Sequence, residues 1–220
     1  MFQLGEFERW RPLFPDMSEV VSPGRKGEVE IVHCSVKGEW KQWKQEDYVL
    51  RGFAYEPGRW VNLIIGGEGW MHDIPGERWL NRHVVERAKG DVLVIGLGIG
   101  MILHPILRKR EVRSVHVLEI NPDVASLVEP TLRHATGYEK LQLEFGNGET
   151  WVPRRKYDTI WIDCIAGASV SEWYVSWCEW WMSRYRPYLN LGGWIGHWMY
   201  PEAVEGLGNG KSVPQNSVAL

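Results

Sequence analysis

Hydrophobic and polar positions divide the chain into two regions with different periodicities. In the first region, four segments have the strand-like pattern of apolar and polar residues: 28–36, 48–55, 60–65 and 70–73. Turn sequences at 56–59 (Glu-Pro-Gly-Arg) and 66–69 (Gly-Gly-Glu-Gly) separate the last three of them. Short segments of this kind joined by tight turns predict a small antiparallel β-meander.

The second region, from residue 91 onward, alternates short apolar runs with helical patterns. Strands are predicted at 92–95, 114–119, 140–145, 157–163 and 192–198. Helices are predicted at 78–89, at 101–110, from Pro122 onward and within 171–188. The strand runs are continuously apolar, which is typical of strands buried on both faces. The predicted fold class is therefore α/β: a Rossmann-like, mostly parallel sheet with helices on both faces, preceded by the meander.

The same patterns predict the domain organisation. We expect an irregular N-terminal lead-in at 1–27, a meander subdomain at 28–75, a Rossmann-like domain at 76–205 and a disordered tail at 206–220. The chain has 14 tryptophans, and several aromatic residues recur near helical spacing in the last helix. This stripe is predicted to face the core: Trp173, Trp177, Trp180, Trp181 and Tyr188.

Composition narrows the function classes. The 220 residues carry a formal net charge of -3, so the chain lacks the basic surface that nucleic acid requires of a main partner. Cys34, Cys164 and Cys178 have neither metal-like nor disulfide-like spacing, and no metal site is predicted. The start lacks the pattern of a signal peptide, and the apolar run at 92–107 is too short for a membrane span. The expected location is cytoplasmic.

The sharpest motif is the glycine-rich turn at 96–100, Gly-Leu-Gly-Ile-Gly, which directly follows a buried strand. Glycines in such a turn allow a ligand to approach the backbone closely. Glu119 ends the next strand, about 20 residues later, where an acid can accept both hydroxyls of a ribose. The alternative interpretation is a tight structural turn followed by a solvated glutamate.

The spacing of the glycines bears on which nucleotide is bound. A nicotinamide dinucleotide fingerprint would need glycine at 101, where this chain has Met101. The observed spacing resembles class I S-adenosylmethionine-dependent methyltransferases. The order of features over 60–199, including Gly-Asn-Gly at 146–148 and Tyr-Asp-Thr-Ile-Trp-Ile-Asp at 157–163, resembles the spermidine-synthase-like branch of that superfamily. This resemblance implies S-adenosylmethionine, or its decarboxylated form, as the cofactor.

The resemblance also implies roles for individual residues. The expected cofactor-binding residues are Gly96, Leu97, Gly98, Gly100, Glu119, Ile120, Asn147 and Asp163. Glu119 would hold the ribose, Ile120 would pack on the adenine, and Asn147 would bond the adenine amino group, where the family usually has Asp. Asp163 would also be the catalytic residue, because it follows a strand at the ligand-binding edge and could take a proton from an amine or hydroxyl nucleophile.

Departures from the family pattern concern the substrate. Ile99 stands where spermidine synthases have an acid, and Val94 stands where many methyltransferases have the acid that holds the methionine amine. The segment 163–167 also lacks the Asp-Ser-x-Asp-Pro pattern of aminopropyltransferases. Asp73 and Glu77 are candidates for contacting an amine or the substrate instead. The alternative is that both acids cap the helix that follows them.

Three functions fit this sequence: a small-molecule methyltransferase, an aminopropyltransferase, and a non-catalytic cofactor-binding protein. Ile99 weakens the second. The missing amine anchors and the short segment after Trp198 support the third. In each enzymatic case the expected partner is a small-molecule substrate, and two roles fit the meander, namely substrate contacts or a homodimer interface.

Overall fold

The computed structural model describes residues 11–37, 58–164 and 171–201. Its first sheet has four antiparallel strands in chain order: β1 (Gly24–Lys26), β2 (Val29–Val36), β3 (Gly58–Ile65) and β4 (Glu68–His72). The β3–β4 turn uses Gly66 and Gly67, both with positive φ, as a tight hairpin requires. The predicted strand at 48–55 and the tail at 206–220 lie outside the described residues.

The second sheet has five parallel strands. Its strands are β5 (Gly90–Ile95), β6 (Val112–Glu119), β7 (Leu141–Phe145), β8 (Tyr157–Ile162) and β9 (Leu189–His197). Their order is β7-β6-β5-β8-β9, and every neighbouring pair is parallel. The strand order reverses at β5, and in open α/β sheets ligands bind beyond the carboxyl ends of the strands at such a point. The predicted fold class is confirmed.

Six α-helices accompany the strands in the described part of the chain: α1 (Met17–Val20), α2 (Pro75–Leu80), α3 (Arg82–Arg87), α4 (Leu103–Leu107), α5 (Pro122–Leu132) and α6 (Glu172–Tyr185). Helix α5 begins as predicted, because the Asn121 side chain accepts the N–H groups of Asp123 and Val124. The prediction of a single helix at 78–89 was wrong, because two short helices, α2 and α3, cover this segment. Asn81 interrupts it, and its buried amide donates to the Glu77 carbonyl oxygen (3.0 Å).

The two sheets share one apolar core. Residues of α1, β2 and β3 pack in the same cluster as residues of β5 and β6, and the cluster includes Met17, Ile31, Val61, Val92, Val94 and Val115. The alternate residues of β5, Leu93 and Ile95, belong to a second cluster under α6. Both faces of β5 are therefore covered, and the meander is fixed beside the edge where the glycine turn lies.

Helix α6 buries only part of the predicted stripe, because Trp181 is buried and Trp177 is half-buried against the core. Tyr174, Cys178, Trp181, Met182 and Tyr185 are buried. In contrast, 67% of Trp173 and 47% of Trp180 is exposed, so the prediction that they face the core was wrong. Two aromatic stripes run side by side on this helix, and spacing alone does not tell which of them meets the sheet.

Candidate active site

The glycine turn has three positive φ angles: 98° at Gly96, 53° at Gly98 and 74° at Gly100. A β-carbon on Gly96 would collide with the backbone carbonyl of Asp163, and one on Gly100 would press against Val128 and Leu132 of α5. These two glycines are required by packing inside the protein. At Gly98 a β-carbon would meet only the flexible side chain of Met71. A ligand could therefore approach the backbone at Gly98 once that side chain moves.

Glu119, at the end of β6, is held against the glycine turn. The Leu97 N–H donates to its Oε2 (2.8 Å) and the Asn121 N–H donates to its Oε1 (2.8 Å). Burial raises the pKa of this carboxyl, and the bonds from Asn121 and Leu97 act in the opposite direction. A carboxylate oxygen that accepts one N–H can accept a second donor. The side chain is therefore oriented by the backbone and still able to accept two hydroxyl groups.

An apolar surface follows Glu119 along the carboxyl edge of the sheet. Ile120 is 65% exposed and Phe145, the last residue of β7, is 56% exposed. Asn147 is also exposed, and its Oδ1 accepts the Glu149 N–H (2.8 Å). Exposed apolar side chains beside a polar amide suit a flat aromatic base. The sequence analysis missed Phe145, although its position at the end of a strand before Gly-Asn-Gly could have indicated it.

Asp163 follows β8 directly beneath the glycine turn, where its N–H donates to the Ile95 carbonyl oxygen (2.8 Å). Burial raises the pKa of its carboxyl to about 7, and the neighbouring Trp161 side chain lowers it by a smaller amount. A pKa in this range suits a group that takes up a proton near neutral pH. The catalytic role of Asp163 stays a prediction from the sequence.

Glu77 lies close enough to Asp163 to feel its charge, although the two residues are far apart along the chain. The sequence pattern gave no direct link between them. The Glu77 side chain is buried, and burial, together with the negative charge of Asp163, raises its pKa well above the ordinary value. The neighbouring Trp198 and Asn81 side chains lower the pKa of Glu77 by a smaller amount. A carboxyl whose pKa is raised by burial and by a neighbouring acid is a feature of functional sites.

Asp73 has a different environment from Glu77. It is fully buried, its Oδ1 accepts the Val61 N–H (2.7 Å), and its Oδ2 accepts a bond from Arg78 (3.0 Å). Arg78 also donates to the Asp73 carbonyl oxygen (2.9 Å). Both carboxylate oxygens are therefore engaged in joining the meander to α2. This arrangement favours a structural role for Asp73, although not the predicted helix cap, because the N-cap residue of α2 is Ile74 and no side chain caps the helix.

Three residues that the sequence analysis did not select lie next to the two acids. The Tyr174 hydroxyl and His197 Nδ1 both donate to the Trp198 carbonyl oxygen, at 3.1 Å and 2.8 Å. Burial lowers the pKa of His197 to about 4, so its ring is neutral at physiological pH. The negative charges of Asp163 and Glu77 contribute to the raised pKa of Tyr174, of which burial is the larger cause. None of these groups carries a charge that would pair with the acids.

Across 11–37, 58–164 and 171–201, no group of three or more His, Cys, Asp or Glu side chains could hold a metal ion. Within the same residues, no helix is both long and apolar enough to cross a membrane.

Comparison with known proteins gives partial similarities. The chain is 26% identical over 108 residues to a polyamine aminopropyltransferase of Prochlorococcus marinus strain AS9601, and 25% identical over 115 residues to that of strain MIT 9312. The sequence is similar to that of polyamine aminopropyltransferases. The first match covers 43% of this chain and only 38% of the relative. No family model matches the chain.

Two solved structures superpose on part of the chain. The superposition on the glycopeptide N-methyltransferase MtfA in complex with (S)-adenosyl-L-methionine covers 53% of this chain and 47% of the MtfA chain, with 19% identity and a TM-score of 0.40. A DhpI-SAM-HEP complex covers 63% of this chain and 60% of its own, with 19% identity and a TM-score of 0.42. Both superpositions are partial.

Proposed function

We propose that this protein binds S-adenosylmethionine and transfers its methyl group to a small-molecule acceptor. The observation that carries the proposal is Glu119, whose carboxylate is fixed against the glycine turn by two backbone N–H groups and lies next to exposed Ile120. An oriented acid beside an apolar surface is the arrangement that adenosine requires, with ribose hydroxyls on the acid and the base on Ile120, Phe145 and Asn147.

The residues present fit this cofactor at the adenosine end. Glu119 can accept two hydroxyls, and the face of Gly98 is open except for one flexible side chain. When bound, the sulfonium supplies an activated alkyl carbon for an in-line displacement, which mainly requires alignment and exclusion of water. Tyr174, Trp161 and Trp198 surround the acids and would keep water away from the acceptor.

Asp163 is proposed to receive the proton that the acceptor loses. Because its pKa is about 7, a substantial fraction of the carboxyl is ionised at neutral pH and is basic enough to take a proton from an amine or hydroxyl. Glu77, whose pKa burial raises well above its ordinary value, is proposed to hold a proton and to donate a hydrogen bond toward the acceptor. Asp73 has no part in this proposal, because both its oxygens are engaged.

Aminopropyl transfer from decarboxylated S-adenosylmethionine is the second candidate. The similarity to polyamine aminopropyltransferases over about 110 residues favours it, and two acids beside the crevice could hold a cationic acceptor. Against it, Ile99 stands in the glycine turn where spermidine synthases have an acid. A cytoplasmic location and a homodimer stay predictions from the sequence.

The test is the shift in unfolding midpoint caused by S-adenosylmethionine, its decarboxylated form, S-adenosylhomocysteine and NAD. A ligand at 100 times its dissociation constant adds about 2.7 kcal/mol of stability. We expect stabilisation by S-adenosylmethionine and S-adenosylhomocysteine, and a larger shift with the decarboxylated form would favour the second candidate. Stabilisation by NAD alone would overturn both. Binding without alkyl transfer to any amine or hydroxyl would favour a non-catalytic binding protein.

A further inference from the structure

Met71 of β4 lies on the open face of the glycine turn. The Ile99 N–H donates to its Sδ (3.4 Å), and the same sulfur occupies the space into which a β-carbon of Gly98 would project. Met71 is the residue of the meander that contacts the turn at both positions. The part of the turn that the proposed cofactor would approach is thus covered by a side chain of the protein itself.

An irregularity in β4 accompanies this contact. Leu63 pairs with Met71 and Ile64 pairs with Gly69, so Trp70 is an extra residue with no partner on β3. A bulge of this kind bends the strand and changes the direction of neighbouring side chains, and bulges are frequent next to active sites. The bulge therefore immediately precedes the side chain of β4 that contacts Gly98 and Ile99.

The contact between Met71 and Ile99 is a weak one. A thioether sulfur is a poor hydrogen-bond acceptor, whereas a carboxylate forms stronger, charge-assisted bonds with backbone N–H groups. Methionine is also flexible, with three rotatable side-chain bonds. A carboxylate-bearing ligand would therefore gain more from the Ile99 N–H than the sulfur does, and the side chain can move away without unfolding the strand.

We propose that Met71 is a displaceable cap on the glycine turn, which satisfies the Ile99 N–H in the free protein and yields it to the carboxylate of the cofactor. The proposal rests on the proposed function, since it names a residue that determines which form of the cofactor is preferred. A cofactor with a carboxylate recovers the bond that Met71 gives up, and a decarboxylated one does not. Met71 and Ile99 thereby favour S-adenosylmethionine over its decarboxylated form.

The test compares Met71→Leu with the unaltered chain by titration calorimetry. Leucine keeps the bulk of the side chain and removes the sulfur, so the ligand no longer has to break a hydrogen bond. We expect S-adenosylhomocysteine to bind about threefold more tightly to Met71→Leu, and methylthioadenosine, which has no carboxylate, to bind with unchanged affinity. Met182→Leu is the matched control, because Met182 lies in the cluster under α6; its affinities should not change.

A second measurement follows Met71 directly. In protein labelled with ¹³C at the methionine methyl groups, the Met71 resonance, assigned by its absence in Met71→Leu, should shift when S-adenosylhomocysteine saturates the site. The Met182 resonance should stay in place. This readout does not depend on turnover.

Each outcome bears on a different part of the account. Equal affinity of both proteins for S-adenosylhomocysteine, weaker binding by Met71→Leu, an equal gain for methylthioadenosine, or an unmoved Met71 resonance would each overturn the role of Met71. If neither protein binds S-adenosylhomocysteine, the proposed function fails and the role of Met71 fails with it.

Discussion

The acids at the two ends of the parallel sheet are in opposite environments. At the amino end, Arg113 donates to Asp91 (2.6 Å) and to Asp158 (2.7 Å). Burial alone would raise the pKa of Asp91, but hydrogen bonds from Arg113 and Ser114 outweigh it. The Asp91 N–H, followed by Asn190 and Arg113, lowers the pKa of Asp158. These acids are ionised and paired.

At the carboxyl end, burial raises the pKa of Glu119, Asp163 and Glu77. No Lys or Arg ion pair to any of the three is present among the described residues. Paired acids stabilise the fold, whereas buried acids without a cation cost stability and are kept where a ligand or proton needs them. The difference locates the candidate chemistry at one end of the sheet.

The largest expected effect concerns how the glycine turn meets Asp163. In Gly96→Ala, the new methyl group would collide with the Asp163 carbonyl at a φ of 98°, so we expect a loss of about 3 kcal/mol or more in the free energy of unfolding. Gly98→Ala is the matched variant. Its methyl group meets only the movable Met71, and the expected loss is about 1 kcal/mol. Urea unfolding that ranks the two in reverse would contradict this account of the turn.

Replacing an acid at the carboxyl end should increase stability. Because the pKa of Asp163 is raised to about 7 in the folded protein, that protein holds an extra proton between about pH 4 and pH 7, and its stability falls as pH rises through this window. Asp163→Asn removes this cost. We expect it to be about 1 to 3 kcal/mol more stable at pH 8, with a smaller difference at pH 5.

Function should change in the opposite direction. Alkyl transfer should fall at least about 100-fold in Asp163→Asn, which is the lower end of typical losses when a general base is removed. The rate of the unaltered chain should rise as pH increases through about 7, and the rate of the variant should not. Unchanged turnover with intact cofactor binding would exclude Asp163 as the base. A stability gain that is the same at pH 5 and pH 8 would contradict the raised pKa.

Replacing an acid at the amino end should decrease stability by a small amount. Asp158→Asn weakens the bonds from Arg113, Asn190 and the Asp91 N–H, and we expect a loss of about 1 kcal/mol at pH 7 because Arg113 is largely exposed. The loss should shrink as pH falls through the lowered pKa of Asp158. A change in cofactor affinity would contradict the separation of the two ends.

Local sequence patterns were sufficient to predict one side of the site. The buried strand, the glycine turn and Glu119 lie in a single βαβ unit, where spacing along the chain determines proximity. The position of Asp163 could be predicted for a different reason: the carboxyl ends of parallel strands meet at one edge of the sheet.

The other side of the site depends on contacts between distant segments. Met71 contacts Ile99 from a bulge in another sheet. Glu77, far from Asp163 along the chain, lies close enough for the negative charge of Asp163 to raise its pKa. Asp73 and Glu77 looked equivalent in sequence, but Arg78 pairs with only one of them. No local pattern distinguishes an acid that finds a cation from one that does not.

The most direct test of the central claim is the affinity for S-adenosylhomocysteine of the unaltered chain, Glu119→Gln and Asp158→Asn, measured by titration calorimetry at pH 7. Glutamine places an NH₂ group against one of the N–H donors that Glu119 accepts, so binding should weaken at least about tenfold. The affinity of Asp158→Asn for S-adenosylhomocysteine should lie within about twofold of that of the unaltered chain, since a surface ion pair contributes little beyond local stability. Equal affinities in all three proteins would contradict the assignment of the cofactor site to the carboxyl end of the sheet.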